Sequence, residues 1–534
     1  MTASEIKQDQ VPQAGHLEPN SSPQHAVQSH GSDSESLQKA LGGDDNVLVP
    51  MHYPAQKNAL LTSLEGKRDV IEETVRHHLG VRFCHLCIRE IWKSGSFNVV
   101  LPILLSETQT VFMRIPYPFR IGEDQCPGNL EEKMRTEIAT YIWLRQNCPD
   151  IPIPELHAFG LPDGSTYTHP LYTPLWERAW WALKRFGCFL LGRPVPVDYV
   201  KRTMRHSIGS GFLLMGKARG EKLAWSWAKH CHQKEYRERF FQGLARISLS
   251  LNAVPLPRIG SLRFQDDGSI ALCNRPLSLY FQMAENEGIP TGIPRNRTYA
   301  QVESYLSDLL SCQDNKLRHQ PNAMHHEEDG KRQLAALAAL RATMHHFIRP
   351  EHRDGPFFLQ LTDLHQQNIF VDDDWNIQTV IDLEWAHTLP LEMKLPPYWL
   401  SLKSAVDSFD GEDDISALEA ALEEYWAIYE AEERKRNGTV VQVPLQRDVW
   451  ARGGFWYFHA VSLPKGMYTL FNRHIQPLYN KEHPSKMIFD DVMYWYWGAG
   501  AQALLEKKLN DKQEYEASVR AAFAEQKSQV KARN

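Results

Sequence analysis

The 534-residue chain is poor in cysteine, with eight residues at positions 84, 87, 126, 148, 188, 231, 273 and 312. Their small number and irregular spacing exclude a disulfide-dense secreted scaffold and predict a reducing compartment. Cys84-His85-Leu86-Cys87 has the spacing of half a zinc site, but a structural zinc needs four ligands and no second pair follows. Net positive charge is lacking too. The chain carries −6 with a pI near 6.5, so no global basic field draws it to nucleic acid or to an anionic membrane. Long apolar runs are missing. No stretch approaches bilayer-spanning length, and the most apolar one, 180–191, is broken by Lys184 and Arg185; a packed helix is expected, with a helix lying on a surface as the alternative. The first ten residues are polar, with Glu5 and Asp9, and residues 1–48 contain no arginine, unlike a secretory signal or a mitochondrial transit peptide. These features predict an intracellular, cytoplasmic protein with no transmembrane segment and no nucleic-acid partner.

What is present is ordinary for a globular chain: 42% hydrophobic and 23% charged residues, with enough length for two or more domains. Residues 1–48 are rich in Ser, Gln, His, Asp and Pro and predict a disordered tail. From residue 58 a helical pattern is followed by strand-like runs: Glu90 to Lys93, a Gly95-Ser96 turn, Val99 to Leu105 and Val111 to Ile115. Leu130, Met134, Ile138 and Tyr141 then recur at helical spacing, and Ile151-Pro152-Ile153-Pro154 enforces an extended segment. This order predicts a small lobe of antiparallel sheet plus helix over 58–216. It carries an aromatic and basic insertion at about 161–205. The strand Phe212 to Met215 runs into a hinge at Gly216-Lys217. Residues 217–400 predict a larger, mainly helical lobe, with a hairpin at 256–275 and a mobile loop from Lys316 to Gly330. Residues 401–534 predict a helical, tryptophan-rich extension. The fold class expected is α+β.

The informative stretch runs from Gln360 to Trp385. Asp363 and Asn368 flank a short polar loop, Ile369-Phe370-Val371 is a strand, Asp372-Asp373-Asp374 a turn, and Thr379-Val380-Ile381 a returning strand that ends at Asp382. A hairpin of that length brings Asp382 beside Asn368. Phosphoryl transfer needs such a set: a carboxylate to accept the hydroxyl proton, and an Asn and an Asp to hold magnesium. The D-x-x-x-x-N spacing of a kinase catalytic loop is met by Asp363 and Asn368. No D-F-G or A-P-E segment follows Asp382, which argues against a protein kinase.

The motif Thr362-Asp363-Leu364-His365-Gln366-Gln367-Asn368-Ile369, followed by Ile381-Asp382-Leu383-Glu384, resembles the aminoglycoside phosphotransferase family. Pro152-Ile153-Pro154 and Ile259-Gly260-Ser261-Leu262 resemble its fungal-type members. The resemblance implies a bilobal protein-kinase-like fold, with Asp363 as catalytic base and Asn368 and Asp382 as magnesium ligands. It also implies a phosphate-covering turn at Gly95-Ser96 and an ATP adenine near Met215 and Lys217. Arg114 stands where the family has a phosphate-pairing lysine, with Glu137 as its partner on the following helix, and Leu361 replaces the family's first histidine. The activity implied is ATP- and magnesium-dependent phosphorylation of a small hydroxylated acceptor, amine- or sugar-like. The alternative is a catalytically silent, nucleotide- or protein-binding module.

Overall fold

The computed structural model describes residues 33–204, 206–394, 396–401, 403, 405–479 and 486–533. Eight strands form one sheet: β1 (His85–Leu86), β2 (Lys93–Ser94), β3 (Asn98–Leu104), β4 (Thr110–Pro116), β5 (Leu156–Gly160), β6 (Thr166–Thr168), β7 (Val200–Arg202) and β8 (Phe212–Met215). The order is β1-β3-β4-β8-β5-β6-β7, with β2 on β3, and every pairing is antiparallel. Strand alternation gives the sheet two buried faces. Val111, Met113 and Ile115 of β4 pack with Ile71 and Val75 of the helix Arg68–Leu79. Leu213 and Met215 of β8 pack instead with Met134 and Ile138 of the helix Asn129–Asn147. Arg114, between Met113 and Ile115, therefore points to the second face, toward that helix.

The rest of the chain is mainly helical, built on the largest apolar cluster, which joins the helices Lys234–Leu251, Val302–His319, Glu327–Phe347, Glu412–Asn437 and Gly454–Ser462. The acids Glu412, Asp413 and Asp414 fill the first turn of Glu412–Asn437, and Arg434, Lys435 and Arg436 fill its last. Gly438 ends it at φ 73°. This acidic run thus complements a helix dipole, and the glycine supplies a left-handed end. Short strands thread the helices: β9 (Glu221–Lys222), the hairpin of β10 (Ser261–Phe264) and β11 (Ile270–Asn274), β12 (Phe357–Gln360), β13 (Ile369–Val371), β14 (Ile377–Val380) and β15 (His387–Pro390). β14-β13-β9 form one small sheet, and β12 pairs with β15.

Mixed α+β architecture with an antiparallel sheet is as expected. Three local expectations are corrected, and one segment gains detail. Residues 33–42 of the expected disordered tail form a helix whose Ala40 packs on Tyr515 and Val519 of the last helix; residues 1–32 of that tail lie outside the described residues. Glu90 to Lys93 is a 3-10 turn over Arg89–Ile91 before β2, not one strand. Within the segment expected as an insertion, 161–205, β6 and β7 widen the sheet. The expected loop Lys316 to Gly330 is shortened from both ends by helices. Its Gln320 and Asn322 are buried and donate to the backbone of Asp44 and of Gly43 and Asp45.

Candidate active site

The loop from Leu361 to Asn368 connects β12 to β13 and is pinned from both sides. Thr362 Oγ1 donates to Trp385 O at 2.7 Å, and Trp399 Nε1 donates to Leu364 O at 3.1 Å. Leu361 packs against the core shared by the sheet and the helix Asn129–Asn147. The β13–β14 register pairs Ile369 with Val380, and Ile381 N donates to Asn368 O at 2.9 Å. Asp382, the next residue, therefore lies beside Asn368. Asp372 serves the intervening turn, accepting from Asp374 N at 3.1 Å and Asn376 N at 2.9 Å, as a turn residue should.

Asn368 donates its side-chain N–H to Asp363 O at 2.9 Å and to Asp363 Oδ2 at 3.2 Å. His365 Nε2 lies 3.5 Å from Asp363 Oδ1, and burial holds its ring below the usual histidine range. Asp382 has φ +58°, a left-handed conformation uncommon outside glycine. Strained backbone of this kind persists where surrounding structure enforces it. Here β14 and the Arg114 ion pair do so. The Asp363 carboxyl is pushed up to about 8, first by burial and then by the charges of Asp382 and Glu384. About a quarter of that side chain (27%) stays exposed, so water tempers the push.

Behind these residues lies a buried ion network. Arg114 is ion-paired with Glu137, and its Nη2 lies 2.7 Å from Asp382 Oδ1 and 3.0 Å from Glu384 Oε2. Lys133 Nζ lies 2.5 Å from Glu384 Oε2 and 3.5 Å from Glu137 Oε2, and it donates to Asn98 Oδ1 at 3.1 Å. Asn98 Nδ2 closes the ring on Glu384 Oε2 at 3.1 Å. Burial pushes Glu137 up, outweighing Arg114 and Lys133. Burial pushes Glu384 the same way, but Lys133 and Arg114 prevail and hold it below the usual carboxylate range. Two cations, Arg114 and Lys133, thus face three carboxyl groups, Glu137, Asp382 and Glu384. The excess of negative charge opens toward solvent at Asp382, one third exposed.

The structure brings together Asp363, Asn368, Asp382, Arg114 and Glu137. The Arg114–Glu137 pair is as expected, but the guanidinium is also committed to Asp382 and Glu384. Gly95 and Ser96 form the β2–β3 turn, where Gly95 N donates to Asn98 O at 2.8 Å. The adjoining Phe97 meets the Trp385 ring edge-on at 5.3 Å, which carries the turn to the Asp382 segment. Met215 ends β8 and Lys217 is exposed beyond it, and neither hydrogen-bonds to the acidic group. Lys133, Glu384 and Asn98 were not assigned roles from sequence. Lys133 carried a usable signal, since it stands four residues before Glu137 and so shares its helix face. Apart from Glu137, the charged run from Glu131 to Arg135 reads as a surface; instead Glu132, Lys133 and Arg135 are buried along with Glu137. Glu132 is paired with Arg275, which ties this helix to Glu285 in the helical half.

Residues 189–431 match the model of the phosphotransferase enzyme family, APH. The match takes in Asp363, Asn368, Asp382 and Glu384, and it leaves out Arg114, Lys133 and Glu137. A phosphotransferase of kinase-like chemistry is the class this match supports. No curated protein matches the chain. Among solved structures, a GDP complex of a mutant aminoglycoside 2'-phosphotransferase-IIIa aligns over 85% of this chain and 99% of its own. It shares 11% identity at a TM-score of 0.36, too remote a likeness to bear on ligand or mechanism. No helix among the described residues is long and apolar enough to cross a membrane.

Proposed function

We propose that the protein is an ATP-dependent kinase of a small hydroxylated molecule, with Asp363 as base and magnesium held by Asn368 and Asp382. The observation that carries this reading is the convergence of Asp363, Asn368 and Asp382: Asn368 donates its side-chain N–H to Asp363, and Ile381 N donates to Asn368 O, which sets Asp382 beside it. In this reading the arrangement is bilobal and protein-kinase-like. Residues 58–216 form the N-lobe, 217–400 the C-lobe and 401–534 its helical extension, with the nucleotide between the lobes.

The donor set suits a hard cation: a carboxylate and an amide oxygen beside unbalanced negative charge. Asn368 spends its N–H groups on Asp363, which leaves its side-chain oxygen as the coordinating atom. Bound magnesium would neutralise charge on the transferred phosphoryl group. Asp363 accepts the proton of the acceptor hydroxyl. Because the Asp382 charge is part of what raises Asp363, neutralising that charge favours the ionised, proton-accepting form. Arg114, fixed by Glu137, supports phosphate oxygens; Gly95 and Ser96 cover them, and the adenine lies by Met215 and Lys217. Most of the rate enhancement comes from positioning and electrostatics.

A second reading, a silent module, is favoured by one observation: Arg114 already occupies Asp382 Oδ1, as an internal cation would. An acceptor screen separates the two. ADP release is measured with hydroxylated amines and sugars, using wild type and Asp363→Asn. Acceptor-dependent turnover that the substitution abolishes supports the kinase; no turnover with any acceptor supports the silent module.

A further inference from the structure

The helix Leu175–Leu190, between β6 and β7 at the edge of the sheet, is turned inside out relative to an ordinary surface helix. The sequence predicts that it packs; only one stripe of it does. Glu177, Trp181 and Arg185, at four-residue spacing, hold it to the body. Arg202 Nε meets Glu177 Oε2 at 3.1 Å, Trp181 Nε1 donates to Val197 O at 2.8 Å, and Arg185 is ion-paired with Asp198. The other half carries Leu175, Trp176, Trp180, Leu183, Phe186 and Phe189, each 57–77% exposed. At 100° per residue these six span about 180° of the helix circumference. Arg178 borders one edge of that arc and Lys184 the other.

We propose that this helix lies in the plane of an anionic lipid bilayer, apolar half down, and holds the protein on a membrane surface. Three observations favour lipid over a protein partner. The six outward side chains offer no hydrogen-bonding group except the indole N–H of Trp176 and Trp180, too few to fix the register of a protein partner, which a fluid apolar phase does not need; of the six, these two tryptophans lie nearest the Lys184 edge, where headgroups would meet them. The bordering charges are basic. Between Leu171 and Arg193 there are four basic residues and one acid, in a chain whose net charge is −6. At 16 residues the helix is too short to span a bilayer, and the polar anchors on its inner stripe keep the body on the water side.

The test is co-sedimentation of the full chain with vesicles of phosphatidylcholine alone, or with about one third phosphatidylserine. Wild type should pellet with the anionic vesicles and release as salt is raised. Trp176→Ser/Trp180→Ser/Phe186→Ser alters only outward side chains and should abolish pelleting with unchanged thermal stability. Arg178→Glu/Lys184→Glu, which leaves the apolar half intact, should weaken binding to anionic vesicles at least about tenfold. Wild type that ignores anionic vesicles overturns the proposal, as does undiminished pelleting of either variant. A wild-type dimer that becomes monomeric in the triple variant, with no vesicle binding, would assign the face to a second copy of the chain instead. None of these outcomes depends on kinase activity.

Discussion

Replacing Lys133 by methionine removes a fully buried cation while keeping the length of its stem. Its ammonium lies 2.5 Å from Glu384 Oε2 and 3.5 Å from Glu137 Oε2. Removing one partner of a buried pair ordinarily costs about 3–5 kcal/mol, because the other is left buried and charged. Here Glu384 can escape by taking up a proton, since burial already pushes it that way and Lys133 is the first group resisting. For a carboxyl of ordinary value 4.5, protonation at ~1.36 kcal/mol per pH unit costs about 3.4 kcal/mol at pH 7 and about 0.7 kcal/mol at pH 5. The sign follows: a carboxyl raised in the folded variant favours folding at low pH and loses that advantage as pH rises. Lys133→Met should therefore lose about 3 kcal/mol at pH 7 and about 1 kcal/mol at pH 5 in urea unfolding followed by tryptophan fluorescence. Adding Glu384→Gln should return much of the loss at pH 7. A loss of equal size at both pH values, or additivity of the two substitutions within about 0.5 kcal/mol, refutes the network.

Three further outcomes are expected. Asp363→Asn should lower kcat by about 10²- to 10⁴-fold while nucleotide affinity holds; an unchanged kcat would remove Asp363 as base. Gly220→Ala should destabilise by about 1–3 kcal/mol, because Gly220 has φ +83° and an added Cβ would lie 2.5 Å from Val371 O, where β9 meets β13; a neutral result would contradict that close approach. Glu392, 1% exposed and accepting from Arg349 N at 3.0 Å, is pushed up to about 7 by burial. Its ionisation therefore costs stability progressively from about pH 4.5 to about pH 7. Glu392→Gln should match wild type in unfolding free energy near pH 4.5 and exceed it by about 1–3 kcal/mol above pH 7, with a correspondingly higher melting temperature. Parallel melting curves across that range would contradict the assignment.

The candidate site was legible because its geometry is local in the chain. The hairpin Ile369 to Asp382 follows from strand alternation and the Asp372 turn, and it suffices to bring Asp382 to Asn368. The Arg114–Glu137 pair needed only the face on which a strand and a helix point their side chains. Lys133 and Glu384 were not legible as a buried pair, because composition rules place charged runs in water and the tertiary partners of the buried Glu132 to Glu137 come from 98, 275 and 384. The same reason explains the helix Leu175–Leu190. Its apolar content predicts a packed helix, yet the body offers it only the stripe through Trp181. The helix at 33–42 was missed because its support, Tyr515 and Val519, lies at the other end of the chain.

The central claim, a magnesium–nucleotide site at Asp382, is tested most directly by titrating ATP calorimetrically with and without magnesium, for wild type and Asp382→Ala. The account predicts that magnesium strengthens ATP binding to wild type at least about tenfold and changes nothing in the variant, which lacks the carboxylate ligand. Equal magnesium dependence in both proteins, or no binding of ATP to wild type at millimolar concentration, would contradict it.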